Sequence, residues 1–182
     1  MAALVAALLV QATDRGAWLA ARLGDRFDRQ GAAIAGLVIA LAIVNAIAVA
    51  GAMLIAPLLS PNARALLLAL ALISAGGGTL FAPKPPAGTF RGGAFVASLA
   101  AMLALGIGDR MQFITFALAV RTPIPALAAI GATLGGVAVL IPALFAGERL
   151  YARIPGRAVR LPVAALLLIT GIVIGLGALR LI

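Results

Sequence analysis

The chain has 182 residues, 64% of them hydrophobic and 10% charged, with a mean hydropathy of +1.20. A soluble domain of this size cannot hide so much apolar surface, so the composition reads as an integral membrane protein in contact with the lipid bilayer. The formal charge of +9 sits in short connectors with few aromatics to stack bases, which argues against nucleic acid, and the lack of Cys and His excludes disulfides, thiolate or imidazole chemistry and the usual zinc ligands.

A spanning helix needs about 20 apolar residues. The first apolar run, about 2–23, carries Asp14 and Arg15 past its middle. It lacks the basic start of a signal peptide and is expected to be retained. A polar connector, 24–31, leads to a second run, about 32–59, interrupted only by Asn45. Ser60-Pro61-Asn62 is a turn whose Ser60 or Asn62 can cap the third run, about 63–81. The stretch 83–92, with Pro83, Pro85 and Pro86, breaks the helix and separates a first unit, 1–82, from a second, 93–182. The fourth run, about 93–120, contains Gly106, Asp109 and Arg110. Pro123 and Pro125 mark a turn into the fifth, about 126–146, which Pro142 is expected to kink. A basic connector, 147–157, precedes the sixth run, about 159–181. The fold class expected is all-α and integral to the membrane, with six transmembrane helices.

Charge assigns the sides. Arg22, Arg26, Arg29, Lys84, Arg91, Arg149, Arg153, Arg157 and Arg160 fall on one side, nine in all, against Arg64, Arg121 and Arg180 on the other. The positive-inside rule then places the linker around Lys84 in the cytoplasm and both termini outside, in a bacterial-type inner (plasma) membrane.

The chain also repeats itself. Asp109-Arg110 lies 95 positions after Asp14-Arg15 (109 − 14 = 95), and the same offset pairs Arg26 with Arg121, Gly36 with Gly131 and Gly76 with Gly171. Three spans per repeat make the halves enter the membrane in opposite directions, giving two inverted three-helix repeats, the plan of many secondary transporters. Carboxylates at bilayer depth are expensive and usually functional, so Asp14 and Asp109 are the leading candidates for ion or proton binding. Gln11 and Gln112 either lend ligand oxygens or hydrogen-bond between helices. Arg15 and Arg110 are charge partners. Adjacent helical residues do not face each other, so the expected pairing is crossed: Asp14 with Arg110 and Asp109 with Arg15. Asn45, Thr133, Trp18 and Phe113 read as packing residues. The segment 148–160 reads as a topological determinant, with anionic lipid contact as a second role.

With these motifs the sequence resembles the Gdt-type family of small six-helix membrane proteins, calcium or manganese exchangers working against protons. The family hallmark is Glu-x-Gly-Asp-(Lys/Arg)-(Ser/Thr), once per three-helix repeat. Here the second copy reads Gly106-Ile107-Gly108-Asp109-Arg110-Met111-Gln112 and the first Gln11-Ala12-Thr13-Asp14-Arg15-Gly16. The motif glutamates are thus replaced by Gln11 and Gly106. The resemblance implies divalent cation/proton exchange, with Asp14 and Asp109 as the metal-binding residues for a transported Mn2+ or Ca2+ and no resident cofactor. Two alternatives stand beside it: a transport-inactive structural or regulatory relative, and a transporter of a small zwitterion or anion recognised by Arg15 and Arg110. No nucleophile–base pair is visible, so an enzyme is not expected. A homo-oligomer remains an open alternative.

Overall fold

A computed structural model describes residues 1–82, 92–153 and 155–181. Among these the chain is wholly helical: α1 (Ala2–Gln11), α2 (Arg15–Arg26), α3 (Gln30–Ile55), α4 (Pro61–Leu80), α5 (Ala94–Gly106), α6 (Arg110–Arg121), α7 (Ala126–Tyr151) and α8 (Gly156–Ala178). A single 3-10 turn, Ala56–Leu58, extends α3. Apart from Gly92, the expected linker 83–92 lies outside the described residues.

Four helices are long and apolar enough to cross a membrane: α3 with its 3-10 extension, α4, α7 and α8. The expected first and fourth spans are not continuous helices. The fourth is a pair, α5 and α6, bent by 67°, which together meet the same criterion. The first is a ten-residue apolar α1 followed by a charged α2. The physical reason lies in the local sequence. Asp14 and Asp109 adopt extended backbone as N-cap residues of α2 and α6, a position that Asp favours, and Gly108 takes a positive φ of 80° that only Gly adopts cheaply. The kink expected at Pro142 also falls elsewhere: α7 leaves helical geometry at Gly147, with φ 70°.

Element boundaries in the two halves correspond. α2 and α6 differ by 95 at both ends (110 − 15 and 121 − 26), and α4 and α8 begin 95 apart (156 − 61). The halves interlock, because each long helix packs on the broken pair of the other half: α3 on α5 and α6, α7 on α1 and α2. α4 and α8 form the closest pair, and their contacts are reciprocal. A β-carbon at Gly76 would come within 2.8 Å of Leu168 and 3.1 Å of the Ala164 carbonyl. One at Gly171 would come within 2.8 Å of Ile73 and 3.0 Å of the Ala69 carbonyl. Each contact is the other displaced by 95 residues. The small residues let the backbones meet, which drives helix association where lipid removes the hydrophobic difference. The outward surface remains apolar, with Leu54, Leu70, Ile130, Leu134 and Ile169 exposed, as a lipid-facing surface requires.

The reciprocity has one exception. α4 packs along α6, but its counterpart α8 hardly touches α2. A cavity of about 200 Å³ stands there instead, lined by Thr13, Trp18, Ala82, Tyr151, Val159 and Arg160.

Candidate functional site at the two helix breaks

The breaks between α1 and α2 and between α5 and α6 meet at the centre of the bundle. In the first, Thr13 turns its hydroxyl back onto the Val10 carbonyl at 2.9 Å, and the Ala12 carbonyl accepts from the Tyr151 hydroxyl at 3.4 Å. In the second, Gly108 donates its N–H to Gln112 Oε1 at 2.7 Å, while Gln112 Nε2 donates to the Val44 carbonyl at 3.2 Å. The Gln112 amide therefore holds the second break shut and ties it to α3. Asp109 accepts from the Met111 N–H at 3.4 Å, capping α6. Asp14 makes no such cap; its carboxylate turns away from α2.

It turns towards Arg110, whose guanidinium pairs with Asp14 Oδ1. Arg110 also reaches Thr79 Oγ1 at 3.4 Å, and its side chain lies against Gly78, where a β-carbon would come within 2.8 Å of Arg110 Cδ. Half of the expected crossed pairing is thus present. The other half is not: among the described residues no ion pair joins Arg15 to Asp109, and Arg15 is exposed at the wall of a cavity. Thr79 and the Gly78 seat were not legible in sequence as site residues, since nothing marks a Thr and a Gly on α4 as neighbours of a motif thirty residues away.

Two cavities adjoin the carboxylates. A small one, about 20 Å³ and so sized for about one water molecule, is lined by Gln11, Asp14, Asn45, Gly106, Asp109 and Gln112. A wider one of about 380 Å³ is lined by Asp14, Arg15, Phe81, Ala82, Asp109 and Arg110. Asp14 and Asp109 border both. Gln11 is 4% exposed, and its Oε1 has no hydrogen-bond partner among the described residues. A buried carbonyl oxygen left unsatisfied costs on the order of 1–3 kcal/mol, which a cation or water in the small cavity would offset.

Asn45 sits beside the small cavity in a network of its own. Its Nδ2 donates to Thr133 Oγ1 at 3.1 Å, and its Oδ1 accepts from the Thr115 hydroxyl at 3.1 Å. The network joins α3, α6 and α7, so Asn45 and Thr133 do bind helices together. Trp18 packs edge-on to Tyr151, with ring centroids 5.0 Å apart. No cluster of three or more carboxylate, His or Cys side chains exists among the described residues. The central chemistry is therefore two carboxylates, one unsatisfied amide oxygen and two guanidiniums.

The electrostatics are set by helix ends as much as by side chains. The N-termini of α2 and α6 and the C-termini of α1 and α5 converge here, bringing partial positive and partial negative charge to one place. Broken helices that end at a central site are how transporters hold small ions.

Residues 94–180 match the family described as divalent cation/proton antiporter GDT1. No curated protein and no solved structure matches the chain.

Proposed function

Over residues 94–180 the chain belongs to the GDT1 family, and from that premise we propose that it exchanges a hard divalent cation, manganese or calcium, for protons across the membrane. The observation that carries this reading is the meeting of Asp14 and Asp109, from the two helix breaks, at one cavity of ion size. A dication there gains two carboxylates and the Gln11 oxygen, with the carbonyl ends of α1 and α5 behind them. When it leaves, protons take its place on the same two carboxylates. One set of groups serving both cargoes is what makes the exchange obligatory. Arg110 stands in for cargo in the empty site, because it neutralises Asp14 while neither proton nor metal is bound.

The architecture proposed is six spans in two inverted repeats, 1–82 and 93–182, joined by the linker 83–92. The reciprocal contacts of α4 and α8 support it. These helices run antiparallel, Ala69 opposite Gly171 and Gly76 opposite Ala164, and a twofold axis exchanging antiparallel helices lies perpendicular to them, in the membrane plane. Both wider cavities lie towards the end of the molecule carrying Arg149, Arg153, Arg157 and Arg160, which the positive-inside rule assigns to the cytoplasm. Alternating access would then exchange the unequal contacts: α8 closes on α2 while α4 leaves α6.

A second reading has its own observation. Arg15 lines the wider cavity with no carboxylate partner among the described residues, as a site for a small anion or zwitterion would require.

The test is counterflow in reconstituted vesicles, following manganese, calcium and internal pH together. Wild type should couple cation entry to proton exit, and Asp14→Asn and Asp109→Asn should each abolish both. If folded Asn variants match wild type, the cation reading is wrong. Uptake of a small anion that needs Arg15 and neither carboxylate would establish the second reading in its place.

A further inference from the structure

Packed on one side by α4, α8 turns an adjacent face towards α1 and α2 without closing on either. Along that face, at helical spacing, stand Arg160, Val163, Leu167, Thr170 and Ile174. Two cavities lie against it in line. At the basic end is the cavity of about 200 Å³ bordered by Arg160, Trp18, Tyr151 and Thr13. Beyond Val163 comes an apolar groove of about 360 Å³ between Val5 and Leu9 of α1 and Leu166, Leu167, Thr170 and Ile174 of α8. On one wall Leu9 in the groove and Thr13 at the mouth are one turn apart, and on the other Leu167 and Arg160 are two turns apart.

The geometry points to a site for one anionic phospholipid, its phosphate at Arg160 and an acyl chain in the groove. Three features agree on that occupant. Arg160 places a cation at the mouth, and one of its terminal nitrogens has no hydrogen-bond partner among the described residues. Arg153 and Arg157 are exposed close by in sequence, so the charge complements an anionic headgroup. Trp18 and Tyr151 flank the mouth, as aromatics do at a membrane interface. Length agrees as well. At 1.5 Å per residue, Thr170 lies about 15 Å along α8 from Arg160, half of the roughly 30 Å hydrocarbon core and so one leaflet deep. The groove lining is almost purely apolar and opens outward, with Val5 and Leu166 half exposed. A free phosphate would use only the mouth, and a second copy of the chain would leave Arg160 without an anion. The site does not depend on what the chain transports.

Trp18 is the sole tryptophan, so its fluorescence reports on the mouth alone. The experiment places the full chain in bilayers containing brominated-chain lipids of either anionic or zwitterionic headgroup. The anionic lipid should quench Trp18 more strongly at equal mole fraction, and Arg160→Gln should cut that preference roughly fivefold, the loss of one basic residue's attraction to an anionic surface. Native mass spectrometry should find one retained phospholipid, lost in Thr170→Phe, which fills the groove from an exposed position and leaves Arg160 in place. Equal quenching by both headgroups that ignores Arg160→Gln overturns the proposal. So does a change in Trp18 emission with inorganic phosphate alone that matches the lipid effect. A dimer that retains no lipid would mean that a second copy covers α8, and would overturn it too.

Discussion

Arg110 is held by three residues from two parts of the chain: Asp14 at the first break, and Thr79 with the bare backbone at Gly78 on α4. Removing it leaves Asp14, only 7% exposed, as a buried charge without a partner. Arg110→Ala is therefore expected to lower stability by on the order of 3 kcal/mol at neutral pH. It should also tighten dication binding, because the metal no longer competes with a guanidinium for Asp14. Thermal unfolding with and without manganese checks both effects, and the variant should gain more from the metal than wild type does. Gly106 presents the opposite problem. Restoring a carboxylate there would add a ligand at the small cavity that Gly106 and Asp109 both line, but a β-carbon at Gly106 would come within 2.9 Å of Val44 Cγ2. Gly106→Glu alone should lose stability through overpacking, by about 1–3 kcal/mol. Paired with Val44→Ala, it should fold and bind manganese more tightly than wild type. A double variant that folds with unchanged affinity would remove the small cavity from the cation's path. Gln11→Glu needs no such relief, since a Gln already fills that position.

The α5–α6 break depends on one backbone position. Gly108, at φ 80°, turns the chain so that Asp109 can cap α6 and Gln112 can close the gap. Gly108→Ala should cost about 1–2 kcal/mol, since any β-carbon is strained in the left-handed region. Gly108→Asn, which tolerates that region better, should recover part of the loss. Chemical denaturation of the three proteins in detergent gives the order directly, and equal stabilities would mean that the break does not need the positive φ. This element also shows where sequence reading stops. Hydropathy averages over a window, so 2–23 and 93–120 each read as one span. The signals that divide them are single residues: a Gly followed by Asp in one case, Thr then Asp in the other. Asp14 and Asp109 were legible because charge in an apolar run is conspicuous. That Asp14 alone finds its arginine was not, because two equivalent halves predict two equal pairs. Only packing reveals that α4 approaches α6 while α8 stands away from α2.

The whole molecule combines a 95-residue correspondence of helix ends and contacts with an inequality in packing. Its orientation is testable because the chain has no cysteine of its own. A cysteine at Ala2 should react with an impermeant thiol reagent in intact cells and one at Ala158 should not; the reverse result would turn the molecule over. The shortage of carboxylates has a further, electrical consequence. Asp14 and Asp109 lie among the four Asp and one Glu of the chain, and the other three, Asp25, Asp28 and Glu148, belong to connectors or helix ends at the basic side. Under the proposed exchange the centre therefore offers two carboxylates as proton carriers and no more. Two protons for one dication move no net charge, so the exchange should not feel the membrane voltage. One proton per dication would leave a single charge crossing, worth about 2.3 kcal/mol per 100 mV, a factor of about fifty in the equilibrium gradient. Vesicles clamped by potassium and valinomycin separate the two cases. A manganese gradient that settles at the same value from zero to −100 mV is the expected result, and a fiftyfold change would mean that the site trades with only one of its aspartates.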